Sequence, residues 1–433
     1  MELVIKNKLL NLKAIIAWGS YDWGISAFPV IVTTFVIATY FTSEIAVNEI
    51  VGTHQWGNAM ALAGIIIAIL SPISGAIADY GGHRKYWLGA FTSLLIISSA
   101  LLWYAYPGIN SVNFTLACVI LGTIGLNIGM VFYNALLPGL APADYVGRIS
   151  GLGWGLGYFG GLVVLLIAFY AFVSAKPAWL DVAAFEQIRI CGPLVAVWTL
   201  LFVLPLFWMV PDYSASRYSM WQAIRGGSQE FISTLKTIRQ QKTIFTFLLA
   251  QMIYTDGLNT LFAFGGIYAA GTFNMTLSEV LVFGIVLNAF AGLGSIVFSW
   301  LDDFLSSKFT ILLSLAFLVI LVLGLVLVTS KSAFWILACL LSLFIGPVQS
   351  SSRSLMTHLI PKEKATEMFG FYVLSGKVTT FIGPWLFGFV TFQFNSQRVG
   401  MASTIIFFLI GASILWFIRP QPLSAVTTNT FKK

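Results

Sequence analysis

Twelve stretches of this 433-residue chain run for about twenty or more mostly apolar residues before glycine, proline or charge interrupts them. Nothing else in the sequence restricts the fold so severely. A helix rises 1.5 Å per residue, so ~20 residues cross a hydrocarbon layer about 30 Å thick. The stretches are 14–42, 56–78, 86–106, 113–137, 148–174, 188–210, 244–270, 278–301, 309–329, 333–356, 367–390 and 400–418. They are continuous and do not alternate with period two, which excludes a β-barrel. With 58% of residues hydrophobic and 9% charged, a water-soluble globule is excluded as well. The expected fold is an all-α integral membrane protein with 12 transmembrane helices, its partner surface the lipid bilayer.

The net charge of +7 has to be read by position. With the N-terminus placed in the cytoplasm, seventeen of the 23 Lys and Arg fall in inside segments. Four, Lys176, Arg189, Lys331 and Arg398, fall outside. That bias puts both termini and the central loop in the cytoplasm, and it accounts for the basic balance without nucleic acid. Lys6, Lys8 and Lys13 imitate a signal peptide, but the apolar stretch behind them is too long and carries Asp22. Cys118, Cys191 and Cys339 lie far apart in apolar runs and read as packed thiols.

The polar, basic segment 211–243 separates six stretches from six, giving bundles 1–210 and 244–433 joined by a cytoplasmic loop. A weak internal repeat agrees with the division. At a shift of 223 residues, Pro138, Gly147, Gly153 and Gly160 fall on Pro361, Gly370, Gly376 and Gly383, and Asp79 and Lys85 fall on Asp302 and Lys308. The first helices pair at a shift of 234, which sets Asp22 on Asp256 and Phe28 on Phe262. Two pseudo-symmetric six-helix bundles in parallel order are a recurrent transporter architecture.

GAIADYGGHRK, residues 75–85, lies between the second and third helices. Gly75 permits close helix contact, Asp79 can pair with a cation or a helix N-terminus of the other half, and Arg84 and Lys85 can anchor at the phosphate layer. Gly75, Asp79, Gly82, Arg84 and Lys85 are therefore candidate cytoplasmic gate residues, with Arg148 a candidate partner for Asp79. The copy LDDFLSSK, residues 301–308, keeps Asp302 and Lys308 but not the Gly and Arg. The first motif resembles the loop signature of the major facilitator superfamily. Four further stretches, 18–41, 132–161, 247–268 and 351–384, narrow the resemblance to a bacterial member of its vacuole-effluxer (autophagy-related) branch. The resemblance spans nearly the whole chain. It implies a secondary transporter, with fungal relatives associated with releasing amino acids from the vacuole into the cytosol; a monomer is expected.

Ionised side chains inside the hydrocarbon span are costly unless paired or hydrated. Asp22, Asp256 and Lys377 lie ~12, ~18 and ~15 Å from the cytoplasmic ends of their stretches, near mid-membrane. Either the two aspartates bind a substrate amine or a coupled proton while Lys377 holds a carboxylate, or one aspartate forms a structural ion pair with Lys377. Lys377 falls opposite Trp154 in the repeat, so the cation has no twin. Arg353, three residues from a helix end, reads as a gate residue able to snorkel to the interface. Tyr21, Asn134, Tyr254 and above all Asn259, one turn beyond Asp256, are candidates to complete the site, with Asn127, Tyr133, Gln251, Asn288 and Gln349 behind them. Glycines 151, 153, 155, 157, 160 and 161 read as close packing against the eighth helix at Gly284, Gly292 and Gly294.

No metal-ligand spacing, nucleophile constellation or Walker sequence is present, so neither an enzyme nor a cofactor is expected. The expected function is alternating-access transport of a small molecule, best an amino acid or related zwitterion, with protons as candidate coupling ion. The alternative is a membrane sensor or assembly protein that retains the fold.

Overall fold

The computed structural model describes residues 3–5, 8–212 and 241–418, together with 222, 223, 225–227, 231 and 234. Most of the central loop expected at 211–243, and the tail beyond 418, lie outside the described residues. Twelve long helical elements follow in order. They are α1 Leu12–Ile45, α2 Glu49–Gly81, α3 Arg84–Tyr104, α4 Ile109–Leu140, α5 Ala143–Val173 and α6 Glu186–Met209. Then come α7 Lys242–Phe273, α8 Leu277–Phe304, α9 Ser307–Leu327, α10 Lys331–Leu359, α11 Lys362–Phe394 and α12 Gln397–Trp416. A short antiparallel hairpin, β1 Leu3–Ile5 with β2 Lys8–Leu10, precedes α1.

Eleven of the twelve are long and apolar enough to cross a bilayer, and α7 is the exception. It carries Gln251, Thr255, Asp256, Asn259 and Thr260 through its middle. Capping side chains mark several starts. Asn48 accepts from the Val51 amide at 2.9 Å before α2, and Thr276 and Glu279 close a reciprocal box at the start of α8. One hydrophobic cluster is drawn from α1–α6, the other from α7–α12 with Val131 and Ala135 of α4.

Within each half, cations fasten the third helix to the sixth at both ends. Lys85, at the start of α3, donates from Nζ to the Phe207 and Val210 carbonyl oxygens at 2.6 and 2.7 Å, where α6 ends. Arg189, at the start of α6, donates to the Trp103 carbonyl oxygen at the end of α3. The second half repeats the scheme. Lys308 of α9 donates to the Trp416 and Ile418 carbonyl oxygens, and Arg398 of α12 to those of Val326 and Val328. Each cation meets the negative end of a helix dipole and carbonyls that lack intrahelical partners.

The halves meet along two seams, α2 with α11 and α5 with α8. Alternate glycines give α5 two close-packing faces. A Cβ on Gly151 would lie 2.5 Å from the Ser295 carbonyl oxygen of α8, and one on Gly153 2.6 Å from Asp22 Oδ2 of α1. Gly292 of α8 meets Tyr158 and Phe159 of α5 as expected, whereas Gly284 meets Phe35 of α1, Gly294 packs on Leu343 of its own half, and Gly157, Gly160 and Gly161 of α5 pack on α1 instead of α8.

The α2–α11 seam is tight at one end only. A Cβ on Gly75 would lie 2.5 Å from the Thr366 carbonyl oxygen, and one on Gly370 2.5 Å from Pro72 Cα. Three turns along α2 on the face of Gly75, a Cβ on Gly64 would meet nothing within 4 Å. The two helices therefore diverge with distance from Asp79.

Candidate functional site

The seam is shut on the side that carries Asp79. The Asp79 carboxylate accepts from Arg84 Nη2 at 2.7 Å and Nε at 3.1 Å. It also accepts from the Thr366 and Glu367 amides at 3.2 and 2.8 Å, in the first turn of α11. An anion at a helix N-terminus meets both unsatisfied amides and the positive dipole end. Arg84 also donates from Nη2 to the Lys362 carbonyl oxygen at 3.0 Å. It is thus buried in the seam and not anchored among lipid phosphates. Gly82, at φ 72°, makes the left-handed turn from α2 into α3. Lys85 is a helix fastener within its own half and does not touch the opposite half through its ammonium.

The second loop copy does the same work one residue away from the expected position. Asp303 of α8 accepts from the Gly147 amide at 2.7 Å and the Arg148 amide at 3.1 Å, in the first turn of α5. Arg148 pairs with Asp303, Nε to Oδ2 at 3.1 Å, and not with Asp79. Each half therefore places an aspartate on the N-terminus of a seam helix of the other. Asp302, the residue aligned by the repeat, stays in its own half, accepting from Ser307 at 2.5 Å and Ser354 at 3.3 Å.

Deeper along the seam, Arg353 departs most from expectation. It does not snorkel: its side chain is 1% exposed, and Nη1 lies 3.1 Å from Asp22 Oδ2. It crosses from α10 of the second half to α1 of the first. Its Nε donates to Ser150 Oγ at 2.9 Å, Nη2 to the Ser150 carbonyl oxygen at 2.6 Å, and Nη1 also to Asn134 Oδ1 at 3.3 Å. Tyr133 donates to the same Asp22 oxygen at 2.8 Å. The rings of Trp18, Tyr133 and Trp154 surround the guanidinium, with centroids 4.8, 5.7 and 5.6 Å from Cζ. Asp22 is therefore paired, but by Arg353 and not by Lys377.

Asp256 and Lys377 sit at a break that the sequence reading placed inside one continuous helix. α11 consists of Ala365–Val378 and Ile382–Phe394, with residues 379–381 in a turn between them. Asp256 caps the second piece, its Oδ2 accepting from the Gly383 amide at 3.1 Å. Its Oδ1 is buried without a hydrogen-bond partner among the described residues. Lys377 occupies the last turn of the first piece, on the face of Gly370 and two turns further along, where α2 has drawn away. It is half-buried, and no carboxylate lies within ion-pair distance among the described residues. Asn259 is half-buried, with no side-chain hydrogen bond among the described residues.

The remaining polar candidates are engaged, some between helices and some within one. Tyr21 bonds Thr92 at 2.9 Å and Tyr254 bonds Ser352 at 2.6 Å. Tyr158 donates to Gln349 at 2.5 Å, and Ser375 donates to Gln251. Asn127 and Asn288 donate to carbonyls one turn back, at Thr123 and Gly284. The sequence reading missed the break, Asp303, and the pairing of Arg353 with Asp22. The break had a signal in Gly383–Pro384 just after two threonines, a pattern able to interrupt a helix.

This architecture matches known folds along its length. The transporter FucP in the outward conformation superposes with a TM-score of 0.75, covering 95% of this chain and 99% of that one at 15% identity. The proton:xylose symporter XylE gives 0.72, with 96% and 98% covered at 15% identity. The chain is thus a multi-pass integral membrane protein of the major facilitator class. Residues 58–421 match the model for the family described as vacuole effluxer Atg22 like, and the chain belongs to that family. An uncharacterized MFS-type transporter, YxiO, of Bacillus subtilis (strain 168) is 30% identical over 419 residues, covering 95% of this chain and 96% of the relative. Autophagy-related protein 22 of Kluyveromyces lactis is 22% identical over 289 residues, covering 61% of this chain and 57% of the relative.

Proposed function

We propose that the chain is a secondary transporter that carries a small zwitterion, best an amino acid, bound where α11 breaks. The observation that carries this reading is the pair of unsatisfied groups flanking the break. Among the described residues Lys377 has no counter-ion and Asp256 Oδ1 no hydrogen-bond donor. Unpaired charges at mid-membrane depth are too costly to keep as scaffolding, and an interrupted helix offers them to a solute. A carboxylate would meet Lys377 at the C-terminal end of the first piece. An amine would meet Asp256, with Asn259 one turn away. With the amine absent, Asp256 is the candidate carrier of a coupled proton.

Alternating access follows from the seams. The side held by Asp79 and Asp303 is shut, and α2 and α11 diverge beyond Gly370. Read with the loop charges, the shut side faces the cytoplasm of a bacterial inner membrane, both termini lie there, and the break opens outward. Both seams lie within one chain, which suits a monomer. The domain boundaries proposed are 1–210 and 244–433.

The test is uptake in proteoliposomes. Labelled amino acids should exchange across the membrane, accumulate with an imposed pH gradient, and fail to do so with Lys377→Met. Asp256→Asn should keep exchange of some solutes but lose the response to the gradient. Ligand-induced thermal stabilisation without any counterflow would instead mark a sensor.

A further inference from the structure

His358 stands near the end of α10, half-buried, where the second half meets the turn between α4 and α5 of the first. Its Nδ1 lies 2.9 Å from the Ser354 carbonyl oxygen one turn back. Its Nε2 lies 3.0 Å from the Ala143 carbonyl oxygen across the seam. Carbonyl oxygens only accept. A neutral imidazole carries one N–H and can donate to one of these two partners, whereas the imidazolium donates to both.

The Asp302 carboxylate, 3% exposed, accepts from Ser354 Oγ, and the carbonyl of the same serine holds His358 Nδ1. The other charged groups on the elements packed around His358 are committed or lie on adjoining turns. Asp303 holds Arg148 and the first turn of α5, and Arg353 is turned to Asp22. Asp144 follows Ala143, and Lys362, Glu363 and Lys364 precede the first piece of α11.

We propose that His358 bridges the halves as an imidazolium, so that its proton helps hold the Asp79 side shut and loss of that proton favours opening. His358 is a positioning residue in this scheme and touches no solute. The inference rests on the reading that the halves separate on this side, but on no particular substrate. Neutral His358 keeps either its local bond or its cross-seam bond, but not both. Raising the pH should therefore lower the closed-to-open ratio by about tenfold, the loss of one charge-assisted hydrogen bond.

The test is a pair of spin labels on exposed positions of the two halves, Tyr86→Cys and Phe417→Cys, with Cys118, Cys191 and Cys339 replaced by Ala, in lipid nanodiscs. Pulsed electron resonance from about pH 5 to about pH 9 should show the shorter-distance population falling as pH rises. His358→Gln should abolish that shift, while His54→Gln and His83→Asn retain it. His358→Asn repeats the test should Gln not be accommodated. A parent distribution that does not move with pH, or a shift that survives in both His358 variants, overturns the inference. If the parent distribution is also unmoved by Asp79→Asn, the alternating-access reading falls with it.

Discussion

Arg353 of the second half and Asp22 of the first form a buried ion pair across the seam, 3.1 Å between Nη1 and Oδ2. The repeat sets Met130 opposite Arg353 and Trp154 opposite Lys377, so neither deep cation has a counterpart in the first half. One of them neutralises the first half's aspartate. The other, Lys377, makes no ion pair among the described residues.

Breaking the pair from one side should be expensive. Removing one partner of a buried pair leaves an uncompensated charge and costs about 3–5 kcal/mol. Arg353→Gln and Asp22→Asn should each lower stability by roughly that amount, and the double variant should lose less than the sum of the two. Denaturation in detergent, followed by tryptophan fluorescence from Trp18 and Trp154, measures all three.

Lys377 should behave in the opposite way. A cation with no partner stabilises nothing, so Lys377→Met should leave the melting temperature unchanged or raise it while solute exchange falls at least about tenfold. A loss of stability equal to that of Arg353→Gln would assign Lys377 to the scaffold.

Asp79 and Asp303 should act as equivalent latches. Neutralising either one to Asn leaves a single side-chain oxygen for two donating amides and sets an NH2 against the second, a loss of about 1–3 kcal/mol from the shut state. Asp79→Asn and Asp303→Asn should each speed the labelling of a cysteine placed at Ser71, which is sealed in the α2–α11 seam. Gly75→Val should do the same through the clash with the Thr366 carbonyl.

The helix fasteners should matter for stability and not for solute recognition. Arg398→Ala frees the carbonyls of Val326 and Val328 and should cost about 1–2 kcal/mol with the apparent affinity for solute unchanged. Thermal unfolding and a binding isotherm on the same preparation separate the two effects.

The spans were legible because hydrocarbon thickness imposes a length on every crossing. Arg353 was not. Its distance from the helix end suggested escape to the interface, and only the packing of α10 against α1 and α5 supplies Asp22, Ser150 and Asn134. Asp303 was hidden by its neighbour, since the repeat aligns Asp302 with Asp79 while helix rotation presents the next residue to α5. The break in α11 could have been inferred from Gly383–Pro384, but the apolar run continued through it and outweighed that signal.

Lys85, Lys308, Arg189 and Arg398 carry a double duty. They are among the loop charges from which insertion takes its bearings, yet in the folded chain their head groups are turned onto carbonyls at the tips of neighbouring helices. Swapping their signs to invert the protein would also unfasten its outer struts, so a failed inversion and a failed fold would look alike on a gel.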